Sequence, residues 1–260
     1  MMIGISKEIW EKKYKAEEDN TIEDTWRRVA NAVASVELTD EVTKSYAEKF
    51  YNMLSGFKVL PGGRITAGSG TKHNYLLNCA VLGIKDDLED IYETIKKAAK
   101  MAKCNYGTGF NFSSIRPKNA PLSVGGVASG PVSFMRIFDI SGSVIETGGG
   151  RRAAAIGILN VDHPDIFDFI DAKREEGTLT QFNLSVGITD KFMQAVIDDT
   201  DFDLVFEGKV YNTIRAKDLY NKIIESGFNY NDPGIIFLDT VNKYNNSRYY
   251  LGDIIATNPC

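Results

Sequence analysis

The sequence predicts an α/β protein, with a helical region over residues 1–60 followed, from residue 61, by strands that alternate with helices. Three observations predict it. In the first sixty residues, apolar side chains recur at helical spacing: Trp26, Val29, Ala30 and Val33 fall on one face, and Val42, Tyr46, Phe50 and Met53 on another. The texture then changes at Leu60-Pro-Gly-Gly-Arg-Ile-Thr-Ala-Gly-Ser-Gly70, a connector whose glycines oppose both helix and strand. Beyond it, short apolar runs of strand length alternate with amphipathic helical segments, the pattern of parallel βα units in a sheet or barrel.

In order, Asp40 after Thr39 is the expected cap of the second helix. Cys79–Ile84 reads as a short apolar strand. Leu88, Ile91, Ile95, Ala98, Ala99 and Ala102 mark an amphipathic helix. A strand over Thr108–Ile115, a buried helix over Val132–Ile145 and a buried strand over Ala153–Val161 come next. Helices are expected around Ile166–Ala172, Phe192–Ile197 and Leu219–Ile224, with strands at Asn183–Ile188, Leu204–Phe206 and Gly234–Leu238. Leu204–Phe206 and Val210–Tyr211, joined through Glu207-Gly208-Lys209, form an expected surface hairpin.

Composition excludes several classes. With 43% hydrophobic residues in 260, the chain can bury a sizeable core in one or two domains. A net charge of −5 leaves no basic footprint, so no nucleic-acid partner is expected. No apolar run approaches the roughly 20 residues that span a bilayer. Met1–Lys15 is charged, unlike a signal peptide, and the expected location is cytoplasmic. Three widely spaced cysteines, Cys79, Cys104 and Cys260, argue against a disulfide framework or a zinc site. The two histidines, His73 and His163, leave little room for histidine-held metal.

Candidate binding loops are glycine-rich: Tyr106-Gly107-Thr108-Gly109, Gly125-Gly126 and Gly148-Gly149-Gly150-Arg151-Arg152. Glycine lets backbone N–H groups approach phosphate, and an arginine after such a run adds a bidentate donor. Each is equally an ordinary turn between βα units, and none has P-loop or dinucleotide spacing. Each cysteine, by composition alone, is either a small buried hydrophobe or a reactive thiol.

Eight motifs, in this order, resemble the ribonucleotide reductase large chain, above all its adenosylcobalamin-dependent branch. They are Trp10-Glu-Lys-Lys-Tyr14, Leu60-Pro-Gly-Gly-Arg64, Asn78-Cys79-Ala-Val-Leu82, Gly107-Thr-Gly-Phe-Asn-Phe112, Gly148-Gly-Gly-Arg-Arg152, Asn183-Leu-Ser-Val-Gly187, Asp232-Pro-Gly-Ile-Ile-Phe-Leu-Asp239 and Asn258-Pro-Cys260. The resemblance implies the first half of a ten-stranded α/β barrel over residues 61–260. A finger loop in that barrel carries a thiyl radical, here on Cys260, that reduces ribonucleotides to deoxyribonucleotides. Cys79 resembles one member of the reducing dithiol, whose partner would lie beyond residue 260. Asn258 resembles a substrate-binding asparagine, and Asn78, Tyr106 and Gly107 match positions lining the ribose and phosphate pocket. An allosteric site for ATP or deoxynucleoside triphosphates is implied at Asp86, Leu88 and Arg116. Residues 117–127 correspond to a first specificity loop, and Arg151 to the relay between effector and substrate.

Further implied are adenosylcobalamin as cofactor, a thioredoxin-like reductant, a homodimer, and a C-terminal remainder of the same enzyme, without which the piece is inactive. The stop at Cys260 matches an intein junction or a split gene. The alternatives are a class I large subunit served by a separate radical-generating subunit, and a nucleotide-binding fragment without catalysis. With about sixty residues before the glycine-rich connector, no extra ATP-sensing domain is expected. Exposed strand edges in half a barrel would be an association hazard.

Overall fold

Residues 4–145 and 154–259 are described by the structure, a computed structural model. The chain divides into two units between Asn78 and Cys79.

The first unit is helical: α1 Ile5–Lys13, α2 Ile22–Ala34, α3 Asp40–Leu54 and α4 Gly63–Gly68, with a 3-10 turn at Ser55–Phe57. Thr21 starts α2 with a capping box, its hydroxyl accepting from Asp24 N while the Asp24 carboxylate accepts from Thr21 N. At α3 the cap is Thr39, not Asp40, because the Thr39 hydroxyl accepts from Val42 N. Val42, Tyr46 and Met53 stay partly exposed, Phe50 packs half-buried against the core, and Ala47 and Leu54 are the buried positions of α3. The glycine-rich connector does not break helix throughout, since Gly63–Gly68 closes a turn and a half against α2. For that reason the unit boundary falls after Asn78 rather than after residue 60.

A polar network ties this unit together. Trp10 Nε1 donates to Thr25 Oγ1 (3.0 Å), which donates to Asp19 Oδ2 (2.7 Å). Arg28 grips the same carboxylate through Nε and Nη2 (2.9 Å), and also donates to the carbonyls of Tyr14, Thr66 and Ser69. The Arg28 and Asp19 side chains are only 12% and 3% exposed. Burial works against ionisation of Asp19, but hydrogen bonds from Arg28, Ala16 N and Thr25 outweigh it and hold the carboxyl below its ordinary range. Asp19→Ala, which leaves Arg28 buried without its anion, is expected to cost about 3–5 kcal/mol of stability. Because the folded pKa is depressed, that contribution is present above the unfolded value and is lost as pH falls through the folded value. Urea unfolding of wild type and Asp19→Ala, followed by tryptophan fluorescence at pH 7 and at falling pH, checks this; equal midpoints at pH 7 would refute it.

The second unit alternates: β1 Cys79–Leu82, α5 Leu88–Lys103, β2 Gly107–Asn111, α6 Pro131–Ser143, β3 Ala155–Asn160, α7 Ile166–Ile170, β4 Phe182–Ile188 and α8 Asp190–Ile197. A hairpin of β5 Asp201–Phe206 and β6 Lys209–Arg215 leads to α9 Ala216–Tyr230, then β7 Gly234–Phe237, α10 Leu238–Lys243 and α11 Arg248–Leu251. Among the described residues, five strands form one parallel sheet in the order β1-β2-β3-β4-β7. A helical N-terminal domain followed by an unclosed parallel α/β sheet is the architecture expected of the first part of such a barrel.

Strand alternation sorts the two faces of this sheet. Phe110, Phe112, Leu159, Phe182, Leu184, Val186 and Ile188 pack with Met135, Phe138, Ile166 and Phe169 of the helices in one core. Each large side chain buried there stabilises the fold by about 1.5–3 kcal/mol. The opposite face carries Cys79, Gly107, Gly109, Asn111, Ile156, Ile158, Asn160, Ser185 and Gly187, a mixture of small, amide and aliphatic residues. The expected strand over Thr108–Ile115 ends earlier, at Asn111, where Ser113 N turns back to the Asn111 side chain (2.9 Å). The Asp232–Pro233 stretch before β7 is fixed by Asp232, which accepts from Leu184 N (2.9 Å) and pairs with Lys173 (2.6 Å).

Candidate active site

The mixed face of the sheet is occupied by the chain's own last residues. Ala256 is buried against Ile156 and Ile158, with Ile236 packed beside them. Further along, the segment crosses β2 where glycine makes room. A Cβ on Gly109 would overlap the Thr257 carbonyl oxygen and lie 2.8 Å from its carbon. A Cβ on Gly107 would lie 2.7 Å from Pro259 Cγ and 3.2 Å from Cys79 Sγ. The Tyr106–Gly109 stretch runs directly into β2. Its glycines sit inside β2 and permit close backbone approach.

Cys79 opens β1 opposite Gly107 in the parallel register. It is half-buried, and its sulfur shares with Pro259 the space above Gly107. The next residue in sequence after Pro259 is Cys260, which lies outside the described residues, as does Arg151 with the rest of 146–153. Asn258 is exposed on the terminal segment, and Asn78 is exposed at the end of the first unit. Tyr106 is half-buried just before β2, and Cys104 caps the end of α5.

A second cluster gathers beyond the ends of β1 and β2. Arg116 donates to Asp86 twice, from Nε to Oδ2 (2.6 Å) and from its backbone N to Oδ1 (3.1 Å). Leu88, the first residue of α5, is 60% exposed nearby in sequence. The segment after Arg116 folds on itself, Asn119 N donating to Ala128 O, Ala128 N to Ala120 O and Leu122 N to Gly126 O. Gly125 and Gly126 turn it at positive φ. Its root is held by buried His163 and half-buried Asp165 on the β3–α7 turn. His163 Nδ1 accepts from Asp165 N (3.1 Å), so Nε2 carries the proton and donates to Ile115 O (3.0 Å). Burial pushes the His163 pKa down, keeping the ring neutral. Asp165 accepts from Lys118 N (2.8 Å), with its pKa raised by burial. Sequence reading placed Asp86 and Arg116 together but missed His163, Asp165, Asn111, Asn160 and Asn242. For the pair Gly109 and Asn111, the period-two spacing from Gly107 was the available signal.

A parallel α/β sheet that seats the chain's own terminal segment against a strand-opening cysteine defines a thiol-bearing α/β protein. Residues 77–260 match the family model described as the ribonucleotide reductase barrel domain, and residues 4–74 that of its all-alpha domain. The chain belongs to the ribonucleotide reductase large-chain family.

It is 44% identical over 219 residues to the vitamin B12-dependent ribonucleoside-diphosphate reductase of Thermoplasma acidophilum, covering 83% of this chain and 28% of the relative. Identity to the protein of the same name from Mycobacterium tuberculosis is 41% over 239 residues, covering 90% and 34%. The ribonucleoside-diphosphate reductase large subunit of vaccinia virus is more distant, 27% identical over 241 residues, covering 81% and 31%. The chain thus spans about a third of the length of these relatives. Among the described residues no helix is long and apolar enough to cross a membrane.

Proposed function

We propose that the chain supplies the first part of a ribonucleotide reductase active site and reduces ribonucleotides once the rest of the barrel is present. The observation that carries this reading is the Cys79 thiol beside Pro259, above a glycine of β2, on a segment that runs directly into Cys260.

The chemistry balances with the residues at hand and one further thiol. A thiyl radical on Cys260 takes the 3′ hydrogen of the ribose, forming an S–H bond and leaving a carbon radical. The 2′ hydroxyl then departs with a proton as water. Cys79 and a second cysteine beyond residue 260 give two electrons and two protons, becoming a disulfide, and Cys260 returns its hydrogen to C3′. The net change is ribonucleotide plus dithiol to deoxyribonucleotide, disulfide and water. Asn258, Asn78, Tyr106 and Gly107 would line the sugar and phosphate. A thioredoxin-like dithiol would restore the pair.

Adenosylcobalamin would suit this donor set, because a carbon-centred radical needs a weak S–H bond to take hydrogen from, and the half-buried Cys79 thiol together with Cys260, next in sequence to Pro259, would offer such bonds. When bound, it supplies the radical that oxidises the Cys260 thiol. Asp86, Leu88, Arg116 and the 117–127 loop would hold a nucleoside triphosphate effector, with Arg151 relaying its identity. Arg116 is already oriented by Asp86, which suits a phosphate donor. Coupling then requires that effector and substrate bias the same loop conformations. The expected assembly is a homodimer.

The test is turnover of the completed catalytic chain with adenosylcobalamin, a dithiol and no second protein subunit. Deoxynucleotide formation, with substrate preference shifted by added deoxynucleoside triphosphate, is expected. Turnover only on adding a metal-containing second subunit would overturn the cobalamin reading in favour of the class I arrangement.

A further inference from the structure

Two asparagines outside the residues assigned above hold the segment that leads to Cys260. Asn242, in α10, accepts from Ile254 N through Oδ1 (2.7 Å) and donates from Nδ2 to Ile254 O (2.9 Å) and Leu238 O (3.1 Å). One side-chain amide thereby makes both hydrogen bonds that a neighbouring strand would make to residue 254. Asn111, at the end of β2, donates from Nδ2 to Ile255 O (2.6 Å) and to Asn160 Oδ1 (3.1 Å), while its Oδ1 accepts from Ser113 N (2.9 Å). Ala256 follows, only 6% exposed, and then the two close approaches over Gly109 and Gly107. The backbone is gripped at consecutive residues before it reaches the glycines.

Only an amide serves at position 242. Aspartate can accept from Ile254 N but cannot donate to either carbonyl, and alanine can do neither. Both asparagines stand on regular elements, β2 paired on both sides and α10 following β7 directly, so their own positions are fixed.

We propose that Asn242 and Asn111 are positioning residues for the Cys260 thiol: they anchor residues 254 and 255 to the sheet and so set where the chain delivers residue 260. This rests on the reading that Cys260 carries the radical. Hydrogen transfer demands a near-attack geometry, and misplacement by about 1 Å costs about 100-fold in rate.

The first measurement uses this chain. In Asn242→Ala and Asn111→Ala, amide hydrogen exchange across residues 254–259 is expected to rise about tenfold, the equivalent of about 1.4 kcal/mol of lost hydrogen bonding, while β3 and β4 exchange as in wild type. Unchanged exchange in the terminal segment overturns the inference. The second uses the chain completed beyond residue 260. There kcat is expected to fall about 100-fold with KM unchanged, and Asn242→Asp, which keeps the Ile254 N contact, to recover part of it. Cys260→Ser is assayed alongside. If Cys260→Ser is inactive and both asparagine variants keep full kcat, the positioning role fails alone; if Cys260→Ser is active, the assignment of the radical fails instead. Should Asn242→Ala not fold, Asn111→Ala and Asn242→Asp decide the same question.

Discussion

Serine in place of Cys79 is expected to abolish deoxynucleotide formation in the completed enzyme while hydrogen at C3′ of the substrate still exchanges, and serine in place of Cys260 to abolish both. On the proposed reading the two thiols are asked for different chemistry. At Cys260 the sulfur would exist as a radical that takes hydrogen from carbon, and a serine O–H bond is too strong to yield that radical. At Cys79 the sulfur would give up an electron and a proton in forming a disulfide, which a hydroxyl cannot do. Cys79 is fixed by β1 opposite Gly107, and the residue before Cys260 lies over that same glycine. Serine is nearly isosteric and Cys79 is half-buried, so substrate affinity is expected to be unchanged in both variants. Product analysis together with isotope washout from 3′-labelled substrate reads the two steps separately. Full multiple turnover by Cys79→Ser would sink its assignment as a reductant.

Much of this architecture was legible in the sequence because hydrophobic period reports burial directly. β3 and β4 are buried on the helix-packed face, and their apolar runs marked them to within two residues. Amphipathic α5 was equally clear, since Ile91, Ile95, Ala98 and Ala102, among the residues that marked it, recur at helical spacing and turn inward. The glycine-rich connector was misread in part. Glycine lowers helix propensity, but Arg28 caps the carbonyls of Thr66 and Ser69 from outside the segment, a tertiary gain that local preference does not contain. The same limit applies to α3, where the spacing of Val42, Tyr46, Phe50 and Met53 was right for a helix, yet of these only Phe50 packs on the core, beside Ala47, Tyr51 and Leu54.

At the site, motif resemblance supplied Cys79, Asp86 and Arg116 but said nothing of why β2 reads Gly-Thr-Gly-Phe-Asn. Alternation carries the answer. Positions 107, 109 and 111 share the face on which residues 254–259 lie, and Thr108 and Phe110 turn away from it. Asn242 could not have been found this way, because its partner at residue 254 is twelve positions distant and joined to it only through the fold.

The sharpest consequence falls on Gly109, for which alanine is expected to detach the terminal segment and lower turnover of the completed enzyme by at least about 100-fold. A methyl group there would overlap the Thr257 carbonyl oxygen and stand 3.2 Å from Asn258 Cα. Those are backbone atoms, so no side-chain rotation relieves the clash. β2 cannot retreat either, because Gly109 is paired with Val81 on one side and Ile156 on the other. The segment must lift, giving up the Asn111 bond to Ile255 O and the burial of Ala256. The fold itself is expected to survive with a loss of about 1–3 kcal/mol, as for other overpacked sites, since the opposite face of β2 keeps Phe110 in the main core. Gly83→Ala is the matched control: a Cβ there meets nothing within 4 Å, and both exchange and turnover should match wild type. Hydrogen exchange of residues 254–259 in this chain and kcat in the completed enzyme check the two halves of the argument. Native exchange with full turnover in Gly109→Ala would mean that the segment reaches residue 260 by another path, one that does not cross β2.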